Sequence, residues 1–147
     1  MKIQLMSIAV ALAFSVGAQA QNTTTRQVKN ADEDRIEAEY KAARERCDPM
    51  QGNAKDICQK EAKGKEKVAK AELEAKTHPT AANQRKVQEA KADAAYDVAK
   101  ERCDDKKGND KDVCQKDAKA AHERAMADIK RADSKGTAPG AGTGSTR

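Results

Sequence analysis

One segment of this chain occurs twice. YKAARERCDPMQGNAKDICQKEAK, from Tyr40 to Lys63, returns as YDVAKERCDDKKGNDKDVCQKDAK, from Tyr96 to Lys119. The offset is 56 residues and 15 of 24 positions are identical. Each copy carries two of the four cysteines, Cys47 and Cys58 in the first and Cys103 and Cys114 in the second, with ten residues between partners. The duplication therefore constrains architecture and cysteine chemistry together.

The N-terminus reads as a secretory signal peptide over residues 1–20. Lys2 supplies the positive start, Ile3 to Val16 an apolar stretch, and Ala18-Gln19-Ala20 a small-x-small cleavage site. The apolar stretch falls short of the roughly 20 residues a membrane span needs. Cleavage after Ala20, and export to the periplasm, are expected. No cysteine lies near that site, so a lipid anchor is not expected.

The 127 residues that follow fit one domain. They contain no Trp or Phe, and Tyr40 and Tyr96 are their only aromatics. Such a chain cannot build a thick core. Alanine, lysine and glutamate dominate, and these are good helix formers. Long, thin helices paired along an alanine-rich seam suit the composition better than disorder, which high charge would otherwise favour. The formal net charge is +5, and acids and bases alternate throughout. Without a basic face or stacking aromatics, nucleic acid is not an expected partner.

Gly, Pro and Asn punctuate the remainder. Residues 21–30 are polar and read as a flexible segment. A first helix is expected over 31–48, ended by Pro49 and Gly52. A second runs from Asn53, as N-cap, to Lys76. The turn 77–80 contains Pro79. A third helix follows over 81–107. Gly108 takes its left-handed C-terminal position, and Asn109 caps a fourth helix ending near Ala132. Residues 134–147, rich in Gly, Ser, Thr and Ala, read as a flexible tail. The expected fold is all-α: two tandem antiparallel helical hairpins (31–76 and 81–133), each clamped by a disulfide, with disordered termini.

The seam follows from spacing. Backwards from Cys103, small or aromatic residues fall at Ala99, Tyr96 and Ala92. Forwards from Cys114 they fall at Ala118, Ala121 and Ala125. These steps of four and three are those of two helices packed side by side. The first repeat matches with Cys47, Ala43, Tyr40 and Ile36 against Cys58, Ala62, Lys65 and Ala69, where Lys65 breaks the stripe. Ile36, Tyr40, Tyr96, Ala99, Ala118, Ala121, Ala125 and Ile129 form the expected interaction seam. A step of 11 also returns to one face of an unbroken helix, so each repeat as a continuous rod is the rival reading.

An even cysteine count in an exported chain points to disulfides. Cys47–Cys58 with Cys103–Cys114 suits the hairpins, and Cys47–Cys114 with Cys58–Cys103 is the competing pattern. Metal binding by the cysteines with His78 and His122 lacks the short spacing of structural zinc sites. Cys114, near a helix start with Lys111 close by, has some thiolate character if reduced. No catalytic motif is present, so no enzyme activity and no cofactor are expected.

The paired E-R-C-D-x3-G-N-x-K-D-x-C motifs, the leading signal and the Ala/Lys/Glu helices resemble a group of small exported proteins of beta-proteobacteria. Some of these are labelled TolA-like cell envelope biogenesis proteins. The resemblance runs from Tyr40 to about Ile129. It implies a non-enzymatic, structural or protein-interaction module of the cell envelope, whose partner is another envelope protein or a second copy. The alternative is a metal- or redox-responsive periplasmic stress protein using its cysteines.

Overall fold

The computed structural model describes residues 19–136, with side chains described over 29–135. Four helices follow in order: α1 (Gln19–Glu45), α2 (Gly52–Thr77), α3 (Ala81–Arg102) and α4 (Gly108–Gly136). A single 3-10 turn, Cys103–Asp105, follows α3. The chain is all-α and forms two disulfide-linked antiparallel hairpins, α1–α2 and α3–α4. The continuous-rod alternative is overturned by the breaks at 46–51 and 103–107.

Each helix packs on its neighbours in sequence: α1 on α2, α2 on α3, α3 on α4, with α2·α3 the most extensive contact. Among the described residues, α1 and α4 make no comparable contact with each other. The four helices therefore form an open row with α2 and α3 inside. Among the described residues the buried apolar side chains are as few as the composition requires: Ile36, Ala62, Leu73, Val87, Cys47 and Cys103. With so little apolar surface hidden, the two disulfides carry an unusual share of the stability.

Four local expectations are corrected. The segment 21–30 is helical, because α1 begins at Gln19. It holds neither Gly nor Pro, and the helix penalty of its threonines is only a few tenths of a kcal/mol each. At the other end α4 runs on to Gly136, so residues 134–136 of the expected tail are helical. Residues 137–147, and residues 1–18 of the expected signal, lie outside the described residues. The third helix stops at Arg102, five residues early, as the backbone tightens into the 3-10 turn.

The fourth correction concerns the glycines and asparagines. Gly52 and Gly108 do adopt the left-handed conformation, at φ 55° and 54°. They do so as the first residues of α2 and α4, where they swing the chain into the returning helix. A Cβ is strained at such φ values, which is why glycine serves there. Gln51 precedes α2 with no side-chain cap, so Asn53 is not an N-cap. Its amide is used elsewhere, as shown below. Thr80 does cap α3, its hydroxyl accepting from the Asn83 amide at 3.1 Å.

Candidate functional site

The two clamps are equivalent in geometry. Cys47–Cys58 and Cys103–Cys114 are disulfides, each with a Cα–Cα distance of 5.6 Å, inside the ordinary range for such bonds. The crosswise pairing is excluded. Cys47 and Cys103 are fully buried, whereas Cys58 and Cys114 are partly exposed. Each turn carries the same additional ion pair: Lys55–Asp48 at 3.9 Å and Lys111–Asp104 at 2.8 Å. Lys111 is thus engaged with a carboxylate. Hydrogen bonding and attraction to Asp104 raise its pKa above the usual lysine value. With all four sulfurs in disulfides, no thiolate is offered as a nucleophile or ligand in this state.

The residues expected along the seam differ in burial. Ile36 is buried at 6% exposure. Tyr40, Tyr96, Ala99, Ala118, Ala125 and Ile129 are partly buried. Ala121 is not on the seam; it is exposed, and its neighbour His122 is partly buried in its place. The His122 ring stacks on Tyr96 with centroids 4.9 Å apart, and its Nε2 lies 2.8 Å from Oδ1 of Asp93. The same one-residue offset resolves the break at Lys65. That lysine, 56 residues before Ala121, is exposed, and Glu66 is the inward residue. In hairpin 1, Lys70 contacts Glu66 and lies near Glu37 and Glu33; Glu66 first, then the other two, raise its pKa. Arg44 sits over the Tyr40 ring, 5.9 Å from its centroid.

Sequence reasoning missed the junction between hairpins. An open groove of about 510 Å³ runs between α2 and α3. Val68, Ala69, Ala94 and Val98 contribute its apolar lining, and Glu61, Glu72, Lys91 and Arg102 its charged rims. The rims are tied across the groove by Glu61–Arg102 at 3.0 Å and Glu72–Lys91 at 2.8 Å. Lys60–Glu101 adds a longer pair at 3.7 Å. Asn53 donates from Nδ2 to the Glu101 carbonyl at 3.1 Å, which also accepts from the Cys103 N–H at the end of α3. Gly64 is buried against Ala94 of α3, with no room between them for a Cβ. The lone glycine inside a helical pattern was the available signal.

At the end of hairpin 1 away from its clamp, Lys29–Glu74 and Lys76–Asp32 join α1 to α2, both at 3.0 Å. Hydrogen bonding to Lys76 lowers the pKa of Asp32, and hydrogen bonding to Lys29 lowers that of Glu74. Arg85–Asp133 at 2.6 Å does the equivalent service between α3 and α4. His78, in the turn, lies 3.1 Å from both Thr77 Oγ1 and Glu74 Oε1. Among the described residues, no three His, Cys, Asp or Glu side chains gather as a metal site would require. No described helix is long and apolar enough to cross a membrane. The arrangement offers charged helix faces and, between α2 and α3, a groove with an apolar floor. Compared with protein-family models, curated proteins and solved structures, the chain matches none.

Proposed function

We propose that this protein is a non-enzymatic helical module of the periplasm, with a structural or protein-interaction role in the cell envelope. The observation that carries the reading is the open row. Among the described residues, α1 packs extensively on α2 alone and α4 on α3 alone among the long helices. Their outer faces present charges of both signs on stiff supports, held by disulfides rather than by a deep core. A preorganised helix face loses little conformational entropy on binding. The disulfides suit an oxidising compartment, and the sequence begins with the features of an export signal.

The test is cross-linking in intact cells followed by fractionation. The reading expects recovery of the protein in the periplasmic fraction, cross-linked to another envelope protein or to itself. Recovery in the cytosol, or a protein that forms no adduct and stays monomeric at high concentration, overturns it.

A further inference from the structure

The α2·α3 junction has a definite antiparallel register. Glu61 pairs with Arg102 and Glu72 with Lys91. Between them, Val68 and Ala95 line the same groove. In residue numbers the register sets 61 against 102, 68 against 95 and 72 against 91. The 56-residue repeat gives each position an equivalent on an outer helix. Those of α2 fall on α4 as Asp117, Arg124 and Asp128; those of α3 fall on α1 as Arg46, Glu39 and Arg35.

Set in the same register, the outer faces match pair by pair: Asp117 with Arg46, Arg124 with Glu39, Asp128 with Arg35. All three pairs are of opposite charge. Only Asp117 and Arg46 lie within the duplicated 24-residue segment. At the other four positions the residues differ from their junction counterparts, and complementarity holds nonetheless. The apolar middle pair of the junction has even become a third charge pair. The residues of two smaller contacts are the same at the equivalent positions, Lys60, Asn53 and Glu101 corresponding to Lys116, Asn109 and Glu45. All of these outer residues are exposed.

We propose that the protein associates with itself head to tail, the outer face of α4 in one copy seating on the outer face of α1 in the next, in the register of the α2·α3 junction. This rests on the interaction reading above and names a second copy as the partner. The contact is heterologous, so it builds a ring or an open filament according to whether its rotation closes.

The joint is looser than the internal junction. A Cβ at Gly64 would come within 2.9 Å of the Ala94 Cβ, and the equivalent positions 120 and 38 are both alanine. The outer helices must therefore sit further apart than α2 and α3 do. The internal junction is also tethered by the short turn 78–80, which raises its effective concentration. Exposed charge pairs are screened by salt. The association is accordingly expected to be reversible, concentration-dependent and favoured at low ionic strength.

Sedimentation of the full chain, purified from an exporting host, tests this with two charge-swapped variants. One carries Asp117→Arg and Asp128→Arg on α4; the other carries Arg35→Glu and Arg46→Glu on α1. The natural protein should gain mass with concentration at low salt and lose it as salt is added. Each variant alone should stay monomeric with natural helicity. An equimolar mixture should associate again, as should the chain bearing all four substitutions. A natural protein that is monomeric at millimolar concentration in low salt overturns the proposal. So does association that the swaps leave unchanged, or that neither the mixture nor the fourfold variant restores. Cross-linking to another envelope protein without self-association sinks this inference and leaves the interaction reading standing; adducts of neither kind sink both.

Discussion

A Cβ placed on Gly64 of α2 would lie 2.9 Å from the Cβ and 3.5 Å from the Cα of Ala94 on α3. The obstacle is next to the α3 backbone, so it cannot swing aside as a long side chain would. Gly64→Ala gains up to about 1 kcal/mol of intrinsic helix propensity. It also pushes apart two helices packed at contact, at a cost of about 1–3 kcal/mol. The expected outcome is a lower melting temperature and weakened ties at Asn53, Lys60 and Lys91. Combining Gly64→Ala with Ala94→Gly moves the methyl to the other helix and should recover most of the loss. Thermal melts followed by circular dichroism decide it.

Each clamp closes a short loop around a fully buried cysteine, Cys47 or Cys103. Replacing Cys47 and Cys58 by alanine should cost about 3 kcal/mol by release of loop-closure entropy. In a protein of this size that corresponds to a fall in melting temperature of about 10 °C. The Cys103, Cys114 pair should cost a similar amount, and a strong reductant should reproduce both losses. Peptide mapping of the natural protein with free thiols blocked should recover 47 linked to 58 and 103 linked to 114.

Acid should act first at the unclamped end of hairpin 1. The carboxyls of Asp32 and Glu74 titrate below their ordinary values because Lys76 and Lys29 bond their ionised forms. Groups with lowered folded pKa values contribute stability that is present above the unfolded pKa and lost as pH falls through the folded one. Stability should therefore hold at neutral pH and decline below about pH 5. Asp32→Asn with Glu74→Gln should flatten that decline. Lys70 and Lys111 titrate above the usual lysine value. Their contribution is complete below the ordinary lysine range and is lost as pH rises through the raised values. Melting temperature measured against pH, at low and high salt, checks both limbs.

The two hairpins solve one packing problem differently. Position 66 is Glu, served by Lys70; its equivalent 122 is His, served by Asp93 and Tyr96, with Met126 where Lys70 would stand. His122→Glu should thus destabilise hairpin 2 by about 1 kcal/mol, from the lost ring stacking and a second acid facing Asp93. Adding Met126→Lys supplies the missing cation and should restore part of it. Amide hydrogen exchange in α3 and α4 would show no recovery if the two hairpins were not interchangeable in this way.

Helix number, hairpin topology and cysteine pairing were legible because glycine, proline and paired cysteines leave local marks. The seam was legible only to within one residue. Alanine at 120 and 121 and a charged residue at 65 make neighbouring faces look alike, so periodicity chose Ala121 where packing chose His122. Asn53 has the composition of a cap, but its partner, the Glu101 carbonyl, lies 48 residues away. No local rule reaches that far. The start of α1 is hidden for the opposite reason: residues 21–30 mix good helix formers (Gln21, Arg26, Gln27, Lys29) with three threonines and two asparagines, and hold nothing that stops a helix. The junction groove depends on which helices become neighbours, and that order is set by tertiary packing.

Because the hairpins are antiparallel, both clamped turns lie at one end of the row. The start of α1 and the end of α4 lie at the other. A pull on those two ends would peel each hairpin apart like a zip until it met a sulfur–sulfur bond. Tension would then pass through the bond and bypass the ten residues inside each loop, the partners being 11 positions apart. Those loops would withhold about 70 Å of contour from the stretched chain. Mechanically the molecule is a tether with two built-in stops, whose fully drawn length depends on whether its surroundings are oxidising.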